Sequence, residues 1–112
     1  MDYKQKYIKY KQKYINLQNQ IGGGNHVTTL NLFKADWCHH CNAFKDTWKA
    51  LQNNKEFNIK YKMYDADENK KEIAKWQIQG YPTLILQTKN KAVEYVGPRT
   101  SAAISDFIKQ YY

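Results

Sequence analysis

The spacing of large apolar residues divides the chain into a lead segment and a compact body. They fall first at Tyr3, Tyr7, Tyr10, Tyr14, Leu17 and Ile21, spaced four, three, four, three and four, a heptad stripe widened by Ile8 and Ile15. This predicts an amphipathic helix over residues 1–21, with five lysines and two of the glutamines on its other faces. Its length would be about 30 Å. "GGGN" at 22–25 ends the pattern, and residues 22–26 read as a glycine hinge. Three heptads with Tyr at four seam positions make a marginal coiled coil. The stripe is therefore expected to pack on its own domain, to self-associate, or to dock onto a partner.

Past the hinge, over 27–112, the period changes. "VTTLNLFKA" (27–35) is rich in β-branched and aromatic residues and reads as a strand leading into "DWCHHC". Helical spacing resumes with Phe44, Trp48 and Leu51. "FNIKYKMYDAD" (57–67) predicts a second strand, and "ENKKEIAKWQI" (68–78) a short helix closed by Gly80. "TLILQT" (83–88) and "AVEYVG" (92–97), on either side of "KNK", read as a hairpin. Thr100 or Ser101 caps a last helix with Ile104, Phe107 and Ile108 on one side. The order β-α-β-α-β-β-α, one crossover unit followed by a hairpin, predicts an α/β sandwich in which helices cover both faces of a small mixed sheet.

At 112 residues the chain has room for one domain with its own core. The net charge of +8 comes from dispersed lysines and a single Arg, which favours solubility and loose attraction to polyanions. Clustered Arg and a reading motif, the marks of specific nucleic-acid binding, are missing. No run approaches the ~20 apolar residues that cross a bilayer, and the N-terminus lacks the apolar centre of a secretory signal. No membrane association and a cytoplasmic setting are the expectation.

Both cysteines lie in one motif, Cys38 and Cys41 around His39 and His40. After a buried strand and at the start of a helix, the first sulfur meets unpaired N–H groups and the positive end of the helix dipole, which favour a thiolate. Such motifs bring thiol pKa values to ~3.5–7.5 from about 8.5. The second sulfur, one turn in, is placed to resolve a mixed disulfide. An imidazolium at His40 would stabilise the reduced form and make the disulfide a stronger oxidant. Structural zinc needs four converging ligands, which four consecutive residues with only His26 elsewhere supply poorly. Covalent haem needs His directly after the second Cys, where Asn42 stands. "GYPT" at 80–83 precedes a strand, where the proline is a natural place for a cis bond.

With these residues together, the sequence over about 27–111 resembles the thioredoxin superfamily and, within it, the catalytic domains of protein disulfide isomerases. The resemblance is carried by "ADWCHHC", by "GYPT" and by "YVGPRT" (95–100), in that order. It implies a thioredoxin-like sandwich with a four-stranded mixed sheet, plus the extra N-terminal helix. It also implies a thiol–disulfide oxidoreductase of protein substrates that leans toward oxidation or isomerisation. Cys38 would be the nucleophile, Cys41 the resolving thiol and His40 the thiolate stabiliser. Tyr81 and Pro82 would form a substrate shelf with Trp37 as an apolar shoulder, and Arg99 would be the cation that adjusts the second thiol. His39 replaces the usual Gly, as an exposed residue or a second cation. No bound cofactor or metal is implied beyond the redox-active Cys38–Cys41 disulfide.

Two departures qualify that likeness. The isomerases' buried Glu falls at Leu32 and its Lys partner at Met63, or at Lys62 in a register one position off; with Met63 both ends of the pair are apolar, and the usual first strand and helix are missing. The lead run also resembles the Tyr/Lys-rich leaders of giant DNA virus proteins, which would set the chain in an infected cell or virion with a flavin sulfhydryl oxidase as upstream partner. A non-catalytic adaptor holding clients through Cys38 and the Pro82 shelf, and a zinc-binding interaction module, remain the alternatives.

Overall fold

The computed structural model describes residues 27–111, so the expected lead helix (1–21) and hinge (22–26) lie outside the described residues. The elements are β1 (Thr29–Lys34), α1 (His39–Asn53), β2 (Lys60–Asp65), α2 (Lys70–Lys75), β3 (Thr83–Gln87), β4 (Ala92–Glu94) and α3 (Ser101–Tyr111). Their order is the one the residue pattern predicts. The sheet runs β2-β1-β3-β4, with β1 parallel to β2 and antiparallel to β3, and β3–β4 the expected hairpin.

β1 is the centre of the fold because both of its faces are covered, which is why its residues from Thr29 to Phe33 are all buried. Side chains alternate between the faces. Leu30 and Leu32 meet Phe44, Trp48 and Leu51 of α1 and Ile104 and Ile108 of α3, whereas Phe33 faces Trp76, Ile85 and Ala92 on the other side. Asn31 is also buried, and its amide donates to the Ile85 carbonyl at 3.1 Å, so no polar group is stranded there.

Helix ends follow local chemistry. Thr100 caps α3 through its hydroxyl, which accepts the Ala103 N–H at 3.2 Å. The end of α2 departs from expectation: Gly80 does not close it. Gln77 takes the left-handed conformation at φ 53°, its N–H donating to Ala74 O, while Ile78 N–H donates to Ile73 O. This is a Schellman closure with Gln in the place Gly usually takes, and Ile73 and Ile78 both pack on the Trp76 cluster.

Candidate active site

β1 carries the chain to the cysteine motif, and the site forms beyond the carboxyl ends of the two parallel strands, the usual ligand position in open α/β sheets. After Lys34 the chain turns through buried Ala35, and Cys38 becomes the N-cap of α1 with extended backbone, φ −89° and ψ 115°. Its sulfur does what a Ser or Asp oxygen does at other N-caps, accepting the Cys41 N–H at 3.2 Å. The Cys38 thiol donates to the Tyr81 carbonyl at 3.6 Å, and the Tyr81–Pro82 bond is cis. Ala35, Cys38 and Cys41 thus form one small cluster with Ala66 and Tyr81.

Both cysteines are free thiols, 8% and 6% exposed. Cys41 is held as a thiol up to about 11, by its burial first and then by its hydrogen bond with Cys38. A backbone hydrogen bond with Ala35 and the charge of Arg99 act in the opposite direction.

The other expected site residues take different places. Trp37 is 68% exposed, with its ring edge-on to Tyr81 at 5.7 Å, so it is a surface shoulder rather than core. His39 and His40 are exposed on the first turn of α1, their rings 6.0 Å apart. Among the described residues, neither imidazole makes a hydrogen bond to a sulfur. Arg99 is exposed and lines a cavity of about 290 Å³ with Tyr81, Pro82 and Tyr95. The loop that delivers it is pinned by Tyr95, whose hydroxyl donates to the Pro98 carbonyl. Gly97 is needed in that loop: at φ +156° an added Cβ would sit 2.9 Å from the Tyr95 oxygen.

The sequence model of the family described as thioredoxin matches residues 10–110. The chain belongs to the thioredoxin family. The match begins upstream of residue 27, where the motif likeness starts. Protein disulfide-isomerase tigA of Aspergillus niger is 40% identical over 96 residues, covering 80% of this chain but 26% of its own length. The chain therefore spans about a quarter of that relative. Among solved structures, the first thioredoxin domain of mouse protein disulfide-isomerase A4 superposes with a TM-score of 0.63 at 29% identity, over 85% of this chain and 69% of that one. Schistosoma mansoni thioredoxin superposes at 0.68 and 22% identity, over 87% and 88% of the two chains, a likeness of fold.

Within this thioredoxin domain, Leu32 and Met63 are register partners across β1 and β2. Only one of these two apolar positions belongs to the core. Leu32 is buried, but Met63 is on the outer strand and 54% exposed.

One pair further along the same face is an ion pair that the sequence reading missed. Lys34 Nζ lies 3.0 Å from Asp65 Oδ2 and 2.6 Å from Asp36 Oδ1. Asp36 and Asp65, by hydrogen bonding, hold the Lys34 ammonium above its ordinary range. Lys34 first, and then the Asp67 and Glu68 amides, hold the buried Asp65 carboxyl below its own. The signal was present in the sequence: period two places Lys34 on the face of Leu30 and Leu32, where a cation requires an acidic partner. Among the described residues, no three His, Cys, Asp or Glu side chains converge as metal ligands would.

Proposed function

We propose that this chain is a thiol–disulfide oxidoreductase of protein substrates, working toward oxidation and isomerisation, with Cys38 as the exchanging sulfur. The observation that carries the reading is the Cys38 sulfur at the N-cap of α1, between the Cys41 amide and the Tyr81 carbonyl beside Pro82. An extended client laid along Tyr81 and Pro82, against Trp37, brings its own sulfur to that point.

In the oxidising direction, a client thiolate attacks Cys38 of the Cys38–Cys41 disulfide. A client–Cys38 bond forms, the intramolecular bond breaks, and Cys41 leaves as a thiolate that takes up a proton. The client's second thiolate then attacks its own bonded sulfur and expels Cys38, leaving two electrons on the cysteine pair. No bound cofactor takes part in these steps. Regeneration consumes an external oxidant, for which a flavin sulfhydryl oxidase is the proposed partner class. Rescue of scrambled ribonuclease and reduction of insulin disulfides, each abolished in Cys38→Ser, test the reading.

The adaptor reading draws support from Cys41. A second thiol that stays protonated up to about 11, with Leu32 where a base would stand, returns slowly to a mixed disulfide. An adaptor traps clients on Cys38 without turning them over, and the same assays separate the two.

A further inference from the structure

A cavity of about 320 Å³ lies between α1 and the outer strand β2, with Cys41 in its wall. Leu32, Phe44, Trp48, Tyr61 and Met63 give it an apolar lining. Lys34, Lys45 and Lys49 also line it, and no Asp or Glu does. Lys34 is committed to Asp36 and Asp65, which leaves Lys45 and Lys49, both exposed, as the available charges.

The strand beside this cavity ends the sheet: among the described residues nothing pairs with the outer side of β2. Lys60 N–H donates to Thr28 O and Ala66 N–H to Lys34 O, so the even-numbered amides face β1. By alternation, Tyr61 and Met63 turn their backbone N–H and C=O groups outward. The next outward amide, that of Asp65, is satisfied by the Asn69 side chain at 2.9 Å. The two residues with outward backbone groups are the two whose side chains line the cavity. The Tyr61 hydroxyl is buried and makes no hydrogen bond among the described residues.

We infer that this edge docks an extended acidic and apolar segment of a client protein, an inference that rests on the reading of the chain as an oxidoreductase of protein substrates. The segment adds as a strand to Tyr61 and Met63 and lays alternate apolar side chains into the cavity next to Cys41. Its acids, on the opposite face of the added strand, meet the exposed Lys60 and Lys62 of β2. Charge selects this occupant over the others available. The chain's own residues 1–21 carry five lysines against one acid, and a second copy would set β2 lysines against β2 lysines. Lysines on an edge strand also discourage indiscriminate pairing, which fits a surface that admits acidic strands.

The test uses the full chain and a cysteine-free, fluorescein-labelled peptide that alternates Glu with Leu and Phe, with a counterpart in which every Glu is Lys. Fluorescence anisotropy is expected to show the acidic peptide binding at least tenfold more tightly than its counterpart. Met63→Glu and the double variant Lys60→Glu/Lys62→Glu are each expected to weaken that binding tenfold or more while thermal unfolding stays cooperative. Equal affinities for the two peptides, or binding unchanged in both variants, overturns the inference. Cys38→Ser separates it from the catalytic reading. Peptide binding that survives in this variant supports the docking surface even if the wild type fails to rescue ribonuclease, and ribonuclease rescue without any peptide binding overturns the docking surface alone.

Discussion

Leu32 and Met63 stand opposite each other on the parallel ladder of β1 and β2, and Leu32 shares a cavity wall with Cys41. A carboxylate at 32 would therefore sit where it could take the Cys41 proton. Leu32→Glu is expected to speed release from mixed disulfides roughly tenfold at neutral pH, as a placed base does. The buried, unpartnered charge should cost about 3 kcal/mol of stability. Adding Met63→Lys across the ladder should return part of that loss. Stopped-flow single turnover and urea unfolding read the two effects separately, and an unchanged release rate would show that proton removal from Cys41 is not limiting.

The Lys34–Asp65 pair predicts an acid limb to stability. Asp65 titrates below its unfolded value because of Lys34, so its contribution is complete above the ordinary carboxylate range and is lost as pH falls through its depressed folded value. In Lys34→Met that folded value rises toward the unfolded one, so the contribution shrinks and its loss is complete at higher pH. Thermal unfolding across pH 2 to 7 should show a smaller acid limb in the variant, levelling off at higher pH than in the wild type. Superimposable limbs would mean that Asp65 is held by the Asp67 and Glu68 amides alone.

Much of this site is written locally in the chain. Cys38, Cys41, Tyr81 and Pro82 are adjacent in short motifs, and the structure brings the two motifs together through the Cys38–Tyr81 contact. β1, β3, α1 and α3 follow from apolar period because each buries one face or two. What the sequence hid depends on register and on local backbone. Lys34 and Asp65 are thirty-one positions apart in number and meet because β1 and β2 align them. The pattern points to Gly80 as the end of α2 because it is the nearby Gly, whereas the chain turns at Gln77, with Ile73 and Ile78 packed on the Trp76 cluster. The exposure of Met63 follows from β2 being an outer strand, which no residue pattern within β2 states.

Trp37 touches Tyr81 edge-on and is otherwise open to solvent. Trp37→Ala is expected to leave stability within about 0.5 kcal/mol, as exposed substitutions do. Loss of the apolar shoulder should raise KM for a protein substrate several-fold and leave kcat nearly unchanged, because the reacting sulfurs are untouched. Steady-state insulin reduction alongside urea unfolding measures both, and a fall in kcat at constant KM would assign Trp37 to the chemistry instead.

The thiol of Cys41 gives the sharpest pH dependence. Burial and the hydrogen bond with Cys38 keep it protonated up to about 11, so at neutral pH the resolving thiolate is a minor species. Burial, the larger cause, persists when Cys38 carries a client, so the thiolate population, and with it the rate of escape from a mixed disulfide, should rise steadily with pH from 6 to 9, by at most about tenfold per unit. The positive charge of Arg99 pulls the Cys41 value down, and removing it pushes the thiol further toward its protonated form. Arg99→Ala should therefore slow escape roughly threefold to tenfold at every pH in that range while preserving the slope, and Arg99→Lys should restore most of the rate. Rapid-quench kinetics on a Cys38-linked client peptide provide the measurement. A rate that is flat in pH, or equal in Arg99→Ala, would mean that something other than the Cys41 proton limits resolution.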